Sequence, residues 1–238
     1  MLMKITSIKS ETDDTKIFRF KYTTDERMDF KAGQFVMVHD IQVEKDGEKK
    51  KVNRAYSIAS SPGKDFIDLV IKEEHPGLTS SYWVNKVKKD QEFEIKGPYG
   101  KFMYTEDVKG DVVLLGAGSG IAPLRGIAQF ITEKKLPVKV FLVFSNKTSR
   151  DIICKSEFLD MEENNDNFEV HFTVTREPED SDWEGRRGRI DYEFLEDSIG
   201  FLENKVFYVC GSKEFGTGVI DLLKEHGVSE EKIKKEIY

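Results

Sequence analysis

Near the middle of the chain, an apolar strand that ends in a glycine-rich turn restricts the fold more than any other feature. The run Asp111-Val112-Val113-Leu114-Leu115 leads into Gly116-Ala117-Gly118-Ser119-Gly120-Ile121-Ala122-Pro123. A nearly continuous apolar strand is typical of a parallel sheet that is covered on both faces. The glycines permit a tight turn, and Pro123 suits the first turn of a helix, where its missing N–H is not needed. This stretch therefore predicts the start of a parallel α/β layer.

Strand and helix patterns alternate through the rest of the chain, as they do in parallel α/β sheets. The helix that follows the turn is predicted to reach about Glu133. Further strands are predicted at 138–144, 168–174 and 206–209, and further helices at 151–162, 192–198 and 214–224.

The first 107 residues follow a different pattern, in which short alternating strands are separated by turn residues. The turns are expected at Ala32-Gly33, Asp46-Gly47, Ser61-Pro62-Gly63 and Gly97-Pro98-Tyr99-Gly100. One helix is predicted, at about 78–87. We therefore expect an antiparallel Greek-key β-barrel with a single helix over residues 1–107 and an α/β nucleotide-binding domain over residues 108–238.

Charge and hydropathy exclude several classes of function. The formal net charge of −7 argues against nucleic acid as a partner. No stretch approaches the roughly 18 apolar residues of a membrane span, so no integral membrane segment is expected. The first residues alternate as a strand does and lack a signal-peptide pattern, which makes a cytoplasmic location the expectation. The oligomeric state stays open.

The cysteine and histidine counts predict no metal site. Two cysteines are too few for a four-thiolate iron–sulfur cluster, and the four histidines are widely spaced. Redox chemistry within these residues would therefore depend on an organic cofactor.

Two segments of the first domain suit a flavin dinucleotide. In Arg54-Ala55-Tyr56-Ser57, a guanidinium suits a pyrophosphate, a phenol suits a ring and the ribityl chain, and a hydroxyl suits a flavin nitrogen. In Gly77-Leu78-Thr79-Ser80, hydroxyls and free N–H groups stand where a helix begins, which favours phosphate. A surface arginine beside a strand tyrosine, and an ordinary hydroxyl-capped helix, are the alternatives.

The glycine-rich turn suits a second dinucleotide. Its pattern, Gly116-x-Gly118-x-Gly120-x-x-Pro123, closes on proline instead of the usual glycine, but the glycines still permit a close backbone approach to a pyrophosphate. The alternative is a turn with a structural role alone.

The order of these motifs resembles the ferredoxin–NADP reductase family over nearly the whole chain. The matching residues are Gly33-Gln34-Phe35, Arg54-Ala55-Tyr56-Ser57, Gly77-Leu78-Thr79-Ser80, Gly97-Pro98-Tyr99-Gly100 and the loop from Gly116 to Pro123. The resemblance implies that Arg54 and the turn from Gly77 to Ser80 hold the FAD pyrophosphate. It implies that Tyr56 and Ser57 flank the isoalloxazine, and that Val70, Ile71 and Lys72 line the cofactor.

The resemblance also implies a nicotinamide site and favours NADP, with NAD as the alternative. The predicted second strand is not followed by the acid that usually binds the ribose of NAD, and Thr175-Arg176 matches the family's contact to a 2′-phosphate. The alternative is that these arginines are solvated and balanced by Glu177, Glu179 and Asp180. The expected binding residues are Gly116, Gly118, Ser119, Gly120, Ala122, Pro123, Ser145, Asn146, Lys147, Arg150, Thr175, Arg176, Arg187, Arg189, Cys210 and Gly211.

Four residues are implied at the reacting centre. Cys210 would lie beside nicotinamide C4, although a lone cysteine is more often core packing. Ser57 would contact the flavin, Glu236 would handle protons or contact a partner, and Tyr238 would stack on the flavin as a lid. The alternative for the last two is a frayed edge strand.

The resulting expectation is an FAD-dependent reductase. It would transfer a hydride from NADPH to FAD N5, and then single electrons to an acidic carrier such as a ferredoxin or flavodoxin, in either direction. Basic clusters at Lys49-Lys50-Lys51 and at Lys86, Lys88 and Lys89 would contact that carrier, unless they are solvated surfaces. The alternatives are a reductase component for an oxygenase or cytochrome, a free-flavin reductase, and a regulatory flavin-binding subunit.

Overall fold

The computed structural model describes residues 1–45 and 47–238. It divides into two compact units, one formed by Met1–Tyr104 with Arg125–Phe130, the other by Thr105–Leu124 with Ile131–Tyr238. The main division therefore passes between Tyr104 and Thr105. The turn predicted at Asp46-Gly47 includes Asp46, which lies outside the described residues.

The first unit is an antiparallel six-stranded sheet with the order β4-β3-β6-β1-β2-β5. Its elements are β1 (Leu2–Thr12), β2 (Thr15–Tyr22), β3 (Phe35–Lys45), β4 (Glu48–Ser57), β5 (Phe66–Lys72), α1 (Leu78–Lys86) and β6 (Glu92–Tyr99). An antiparallel bridge between Ile58 and Leu69 links the chain just after β4 to β5, the opposite edge strand. The sheet is thus barrel-like, as the sequence predicted.

Helix α1 contributes Trp83 to the core of this unit. The indole is fully buried and lies 5.0 Å from the ring of Phe18 and 4.9 Å from that of Phe93. Tyr56 of β4 meets it edge-on at 5.8 Å. Because such aromatic pairs contribute about 0.5–1.5 kcal/mol each beyond area burial, they fix α1 relative to β4.

A buried ion cluster also stabilises the first unit. Asp68 of β5, 1% exposed, accepts two hydrogen bonds from Arg19 of β2, at 2.8 and 2.9 Å. Arg125 approaches the same carboxylate at 3.3 Å and donates to the carbonyl of Ala59 at 2.7 Å.

The second unit is a parallel sheet with the order β10-β9-β8-β7-β11-β12. Its strands are β7 (Asp111–Ala117), β8 (Val140–Asn146), β9 (Phe168–Val174), β10 (Arg186–Arg187), β11 (Lys205–Gly211) and β12 (Ile233–Ile237). The helices that follow β7 are α2 (Ile121–Glu133), α3 (Lys155–Glu163), α4 (Tyr192–Ile199) and α5 (Lys213–Glu225). Every residue of β8 is buried, which accounts for its apolar sequence.

Two predicted elements are displaced in the structure. The strand expected at 138–144 runs over Val140–Asn146, because Val138 donates to the carbonyl of Leu136 in a turn. The helix expected from residue 151 begins at Lys155, because Cys154 has a left-handed backbone with φ of 58° that interrupts it. No helix among the described residues is long and apolar enough to cross a membrane.

Candidate cofactor-binding sites

The first site forms where β4 meets the start of α1. Tyr56 of β4 is hydrogen-bonded to the side chain of Thr79 in the first turn of α1. Burial raises the pKa of Tyr56 to about 12, against the opposing effects of that hydrogen bond and of the Arg54 charge. The phenol is therefore a neutral group at ordinary pH. The structure thus joins the two segments that the sequence analysis assigned to FAD.

The start of α1 leaves room for a phosphate. Gly77 is the N-cap residue, and no side chain caps the first N–H groups of the helix. A Cβ at Gly77 would lie 2.1 Å from the carbonyl oxygen of Glu74 and 2.4 Å from Oγ of Ser80. Only glycine fits here, and uncapped N–H groups at a helix start attract anions.

Arg54 is placed to complete this first site. It lies two residues from Tyr56, so both side chains project from the same face of β4. Its guanidinium donates to the carbonyl of Asn53 at 2.9 Å, and no acid within the described chain pairs with it. Ala55 is exposed, and Ser57 ends the strand opposite Phe35.

The predicted flavin-lining residues of β5 have structural contacts of their own. Val70 and Ile71 are buried, and Ile71 belongs to the barrel core. Nζ of Lys72 lies 2.6 Å from the carboxylate of Asp14. Burial tends to raise the pKa of Asp14, but hydrogen bonds from Lys72, Thr12 and Thr15 outweigh it and lower that pKa. Because the ammonium is engaged, a contribution of Lys72 to a flavin would come from its backbone.

The second site begins at the glycine-rich turn. Strand β7 ends at Ala117, a 3-10 turn spans Gly118–Gly120, and α2 follows, with Ala122 buried and Pro123 in its first turn. Gly118 has a φ of 53°, and a Cβ at Gly120 would lie 2.3 Å from the carbonyl oxygen of Cys210. No side chain caps the turn, so its N–H groups resemble those of a phosphate-binding loop.

Cys210 packs at the carboxyl end of β11, between Gly116 of β7 and Glu236 of β12. Burial and the Glu236 charge raise the pKa of the thiol well above its usual range. The side chain is therefore a small neutral group and not a nucleophile.

Tyr238 reaches back to the glycine-rich turn. Its hydroxyl lies 2.7 Å from Oγ of Ser119, and its backbone is hydrogen-bonded to Gly211 and Lys213. The ring remains 62% exposed. Stacking of Tyr238 on a flavin, and the proton role of Glu236, stay predictions.

Backbone hydrogen bonds join the loops that follow β8 and β9. The N–H of Thr175 donates to the carbonyl of Asn146 at 3.0 Å, and that of Arg176 donates to Lys147 at 2.7 Å. Ser145 and Asn146 are buried, and neither amide atom of Asn146 has a hydrogen-bond partner within the described chain. The side chains of Lys147, Arg150 and Arg176 are exposed and form no ion pair within residues 1–45 and 47–238. The buried amide of Asn146 and the three exposed cations are thus available to a bound ligand.

Arg187 and Arg189 are engaged elsewhere. The guanidinium of Arg187 donates to the carbonyls of Glu177, Pro178 and Trp183 and so orders the loop after β9. Arg189 pairs with Glu214 at 2.7 Å on the surface. Their predicted contacts to a nucleotide stay predictions.

Two polar pairs in these loops were not predicted from the sequence. The side chain and N–H of Thr148 both donate to Asp151, an N-terminal capping pattern that the spacing Thr148-x-x-Asp151 could have indicated. Ser149 donates to Glu177 through its N–H at 2.5 Å and through its hydroxyl at 2.9 Å. No local spacing signals this second pair, because it joins two different loops.

The two sites define the class of protein. A barrel-like unit whose helix begins with uncapped N–H groups, followed by a parallel α/β unit with a glycine-rich turn, is typical of flavin- and nicotinamide-dependent oxidoreductases. Within the described residues, no group of three or more His, Cys, Asp and Glu side chains could hold a metal ion.

Most of the chain matches two known domain families. Residues 2–104 match the model of an oxidoreductase FAD-binding domain, and residues 114–220 match that of an oxidoreductase NAD-binding domain. The chain therefore belongs to the oxidoreductases that have an FAD-binding domain followed by an NAD-binding domain.

Curated relatives are longer than this chain. Over its whole length the chain is 30% identical to the glycine betaine monooxygenase reductase subunit of Pseudomonas aeruginosa and spans 64% of that protein. Over 92% of its length it is 28% identical to a component of the Na(+)-translocating NADH-quinone reductase of a Marinomonas species and spans 62% of that component.

Solved structures share the fold. The FAD/NAD-binding domain of nitric oxide dioxygenase from Vibrio cholerae superimposes with a TM-score of 0.87 at 21% identity, covering 100% of this chain and 98% of that one. A ferredoxin NADP+ reductase from Neisseria gonorrhoeae, with bound FAD and NADP, gives a TM-score of 0.82 at 23% identity with the same coverage.

Proposed function

We propose that the protein transfers reducing equivalents from NADPH, through FAD, to a separate protein acceptor. The observation that carries this proposal is that Tyr56, which lies within reach of the Arg54 charge, is hydrogen-bonded to Thr79 at the uncapped start of α1, while a second unit supplies a separate glycine-rich turn. FAD, when bound, accepts a hydride and returns electrons singly. The chain contributes binding and orientation, which supply much of the rate enhancement in such reactions.

The first unit would hold FAD through complementary charge and shape. Arg54 and the N–H groups that follow Gly77 would take the two phosphates, since both are donors without an acidic partner among the described residues. Tyr56, fixed by Trp83 and Thr79, would orient the flavin ring, and Ser57 would donate to it.

The second unit would hold the nicotinamide nucleotide. The turn Gly118–Gly120 would take the pyrophosphate, and Asn146 would hydrogen-bond to the adenine-side ribose. NADPH is the proposed donor, because Lys147, Arg150 and Arg176 offer three exposed cations to a 2′-phosphate. Cys210, small and neutral, would permit close approach of the nicotinamide ring.

The acceptor is proposed to be an acidic carrier protein of the ferredoxin or flavodoxin kind. Lys86, Lys88 and Lys89 support this, because they are adjacent, exposed and form no ion pair within the described chain. A reductase component for an oxygenase is the second candidate, favoured by the relative named a monooxygenase reductase subunit. In both cases the chain would pass electrons to another protein.

Arg54→Gln tests the FAD assignment. We expect the full chain to purify with one bound FAD, and the variant to bind FAD at least about tenfold more weakly, because a charge-assisted phosphate contact is lost. The matched control is Arg27→Gln, which removes another exposed guanidinium of the first unit that contacts the Thr24 carbonyl and the Tyr22 ring. Fluorescence titration of the apoprotein with FAD measures both. Equal affinities of the two variants would contradict the assignment, and absence of bound flavin would favour a free-flavin reductase.

A further inference from the structure

We propose that Ser149 determines nucleotide specificity by holding Glu177 away from Arg176, which leaves the Arg176 guanidinium available to a 2′-phosphate. This inference rests on the NADPH preference in the proposed function. It adds a positioning residue that makes no contact with the nucleotide itself.

The carboxylate of Glu177 is held from several sides. Ser149 donates to one oxygen through its N–H and to the other through its hydroxyl, at 2.5 and 2.9 Å. Ser181 adds a hydrogen bond, and the Arg187 charge lies nearby. These contacts, the N–H of Ser149 foremost, lower the pKa of Glu177, so the group is ionised at neutral pH.

The side chain of the neighbouring residue, Arg176, is not held by contacts of this kind within the described residues. Its side chain is exposed and makes no ion pair or hydrogen bond in the part of the chain that the structure describes. An adjacent glutamate would ordinarily be its nearest counter-ion. Glu177 instead turns toward the loop after β8, because Ser149 offers two donors there.

The backbone fixes this arrangement. The N–H of Arg176 donates to the carbonyl of Lys147, and that of Thr175 donates to Asn146, so the two loops stay in register. Arg187 also donates to the carbonyl of Glu177 at 3.2 Å. A Glu177 side chain released from Ser149 would remain next to Arg176, where it would neutralise the guanidinium and repel a phosphate.

Two nucleotides that differ only in the 2′-phosphate provide the test. Adenosine 2′,5′-bisphosphate and adenosine 5′-monophosphate are titrated calorimetrically into the FAD-loaded full chain. Ser149→Ala removes the hydroxyl donor to Glu177 and keeps the N–H donor. We expect it to weaken binding of the bisphosphate by about three- to tenfold, since one hydrogen bond to a charged group is lost, and to leave the monophosphate unchanged. Ser149→Thr, which keeps the hydroxyl, should bind both as the wild type does.

The double variant Ser149→Ala/Glu177→Gln separates this role from a local structural one. Removing the negative charge of the Glu177 side chain should restore bisphosphate affinity, whereas a misfolded loop would still bind the bisphosphate weakly. Equal weakening of both nucleotides by Ser149→Ala, or no recovery in the double variant, would overturn the inference. Failure of the proposed NADPH preference is distinguishable, because the wild-type chain would then bind the bisphosphate no more tightly than the monophosphate.

Discussion

At the residue scale, Cys210 lies between Gly116 of β7 and Glu236 of β12, and burial there raises the pKa of its thiol. Because its pKa is raised in the folded state, the neutral thiol contributes stability that is fully present below its unfolded value of 9.0. That contribution is lost as the pH rises through the folded pKa.

We expect the free energy of unfolding to fall more steeply with pH in the wild type than in Cys210→Ala above about pH 9. The difference in slope should approach 1.4 kcal/mol per pH unit, the value of about one proton. Urea denaturation of both proteins between about pH 8 and about pH 10.5 measures it. Parallel curves would show that the thiol titrates normally and is not enclosed as described.

Residue-scale features differ in how far the sequence predicts them. The glycine of a phosphate turn is visible because its neighbours define the turn, and Gly77 and Gly120 have the close contacts that only glycine tolerates. The Ser149–Glu177 pair joins residues 28 apart on two loops, so no local pattern predicts it. The engagement of Lys72 by Asp14 has the same origin, since it joins residues 58 apart.

At the scale of secondary-structure elements, the buried carboxylate of Asp68 connects β2, β5 and the segment Arg125–Phe130 that groups with the first unit. Asp68→Asn should cost about 3 kcal/mol or more, because it removes the buried carboxylate charge that Arg125 and Arg19 share. The matched control is Asp65→Asn, which breaks the exposed ion pair with Lys21 at 2.9 Å and should cost much less, because water screens that pair. Chemical denaturation of the three proteins checks this, and equal losses would contradict a special role for the buried cluster.

The sequence predicts element types better than element limits. Apolar runs identify β7, β8 and β11, because a doubly covered strand must be apolar. The start of α3 depends on the left-handed conformation of Cys154, a residue type that does not indicate such a backbone. The two-residue strand β10 is too short for any periodic pattern.

At the scale of the whole molecule, the change from turn-rich alternation to apolar strands predicts a change from an antiparallel to a parallel sheet along the chain. The sequence does not predict that part of α2 groups with the first unit, because that grouping depends on contacts with residues distant along the chain. Gly126 is an example, because a Cβ there would lie 2.9 Å from the carbonyl oxygen of Ile58 and 3.2 Å from that of Ser60.

Anaerobic reduction of the bound flavin tests whether the chain passes reducing equivalents from NADPH to FAD. The purified FAD-loaded chain is mixed with NADPH or, separately, with NADH, and the flavin absorbance is followed in a stopped-flow instrument. We expect the flavin absorbance to fall rapidly with NADPH and more slowly with NADH. A stoichiometrically bound FAD that stays oxidised with both nucleotides would contradict this expectation.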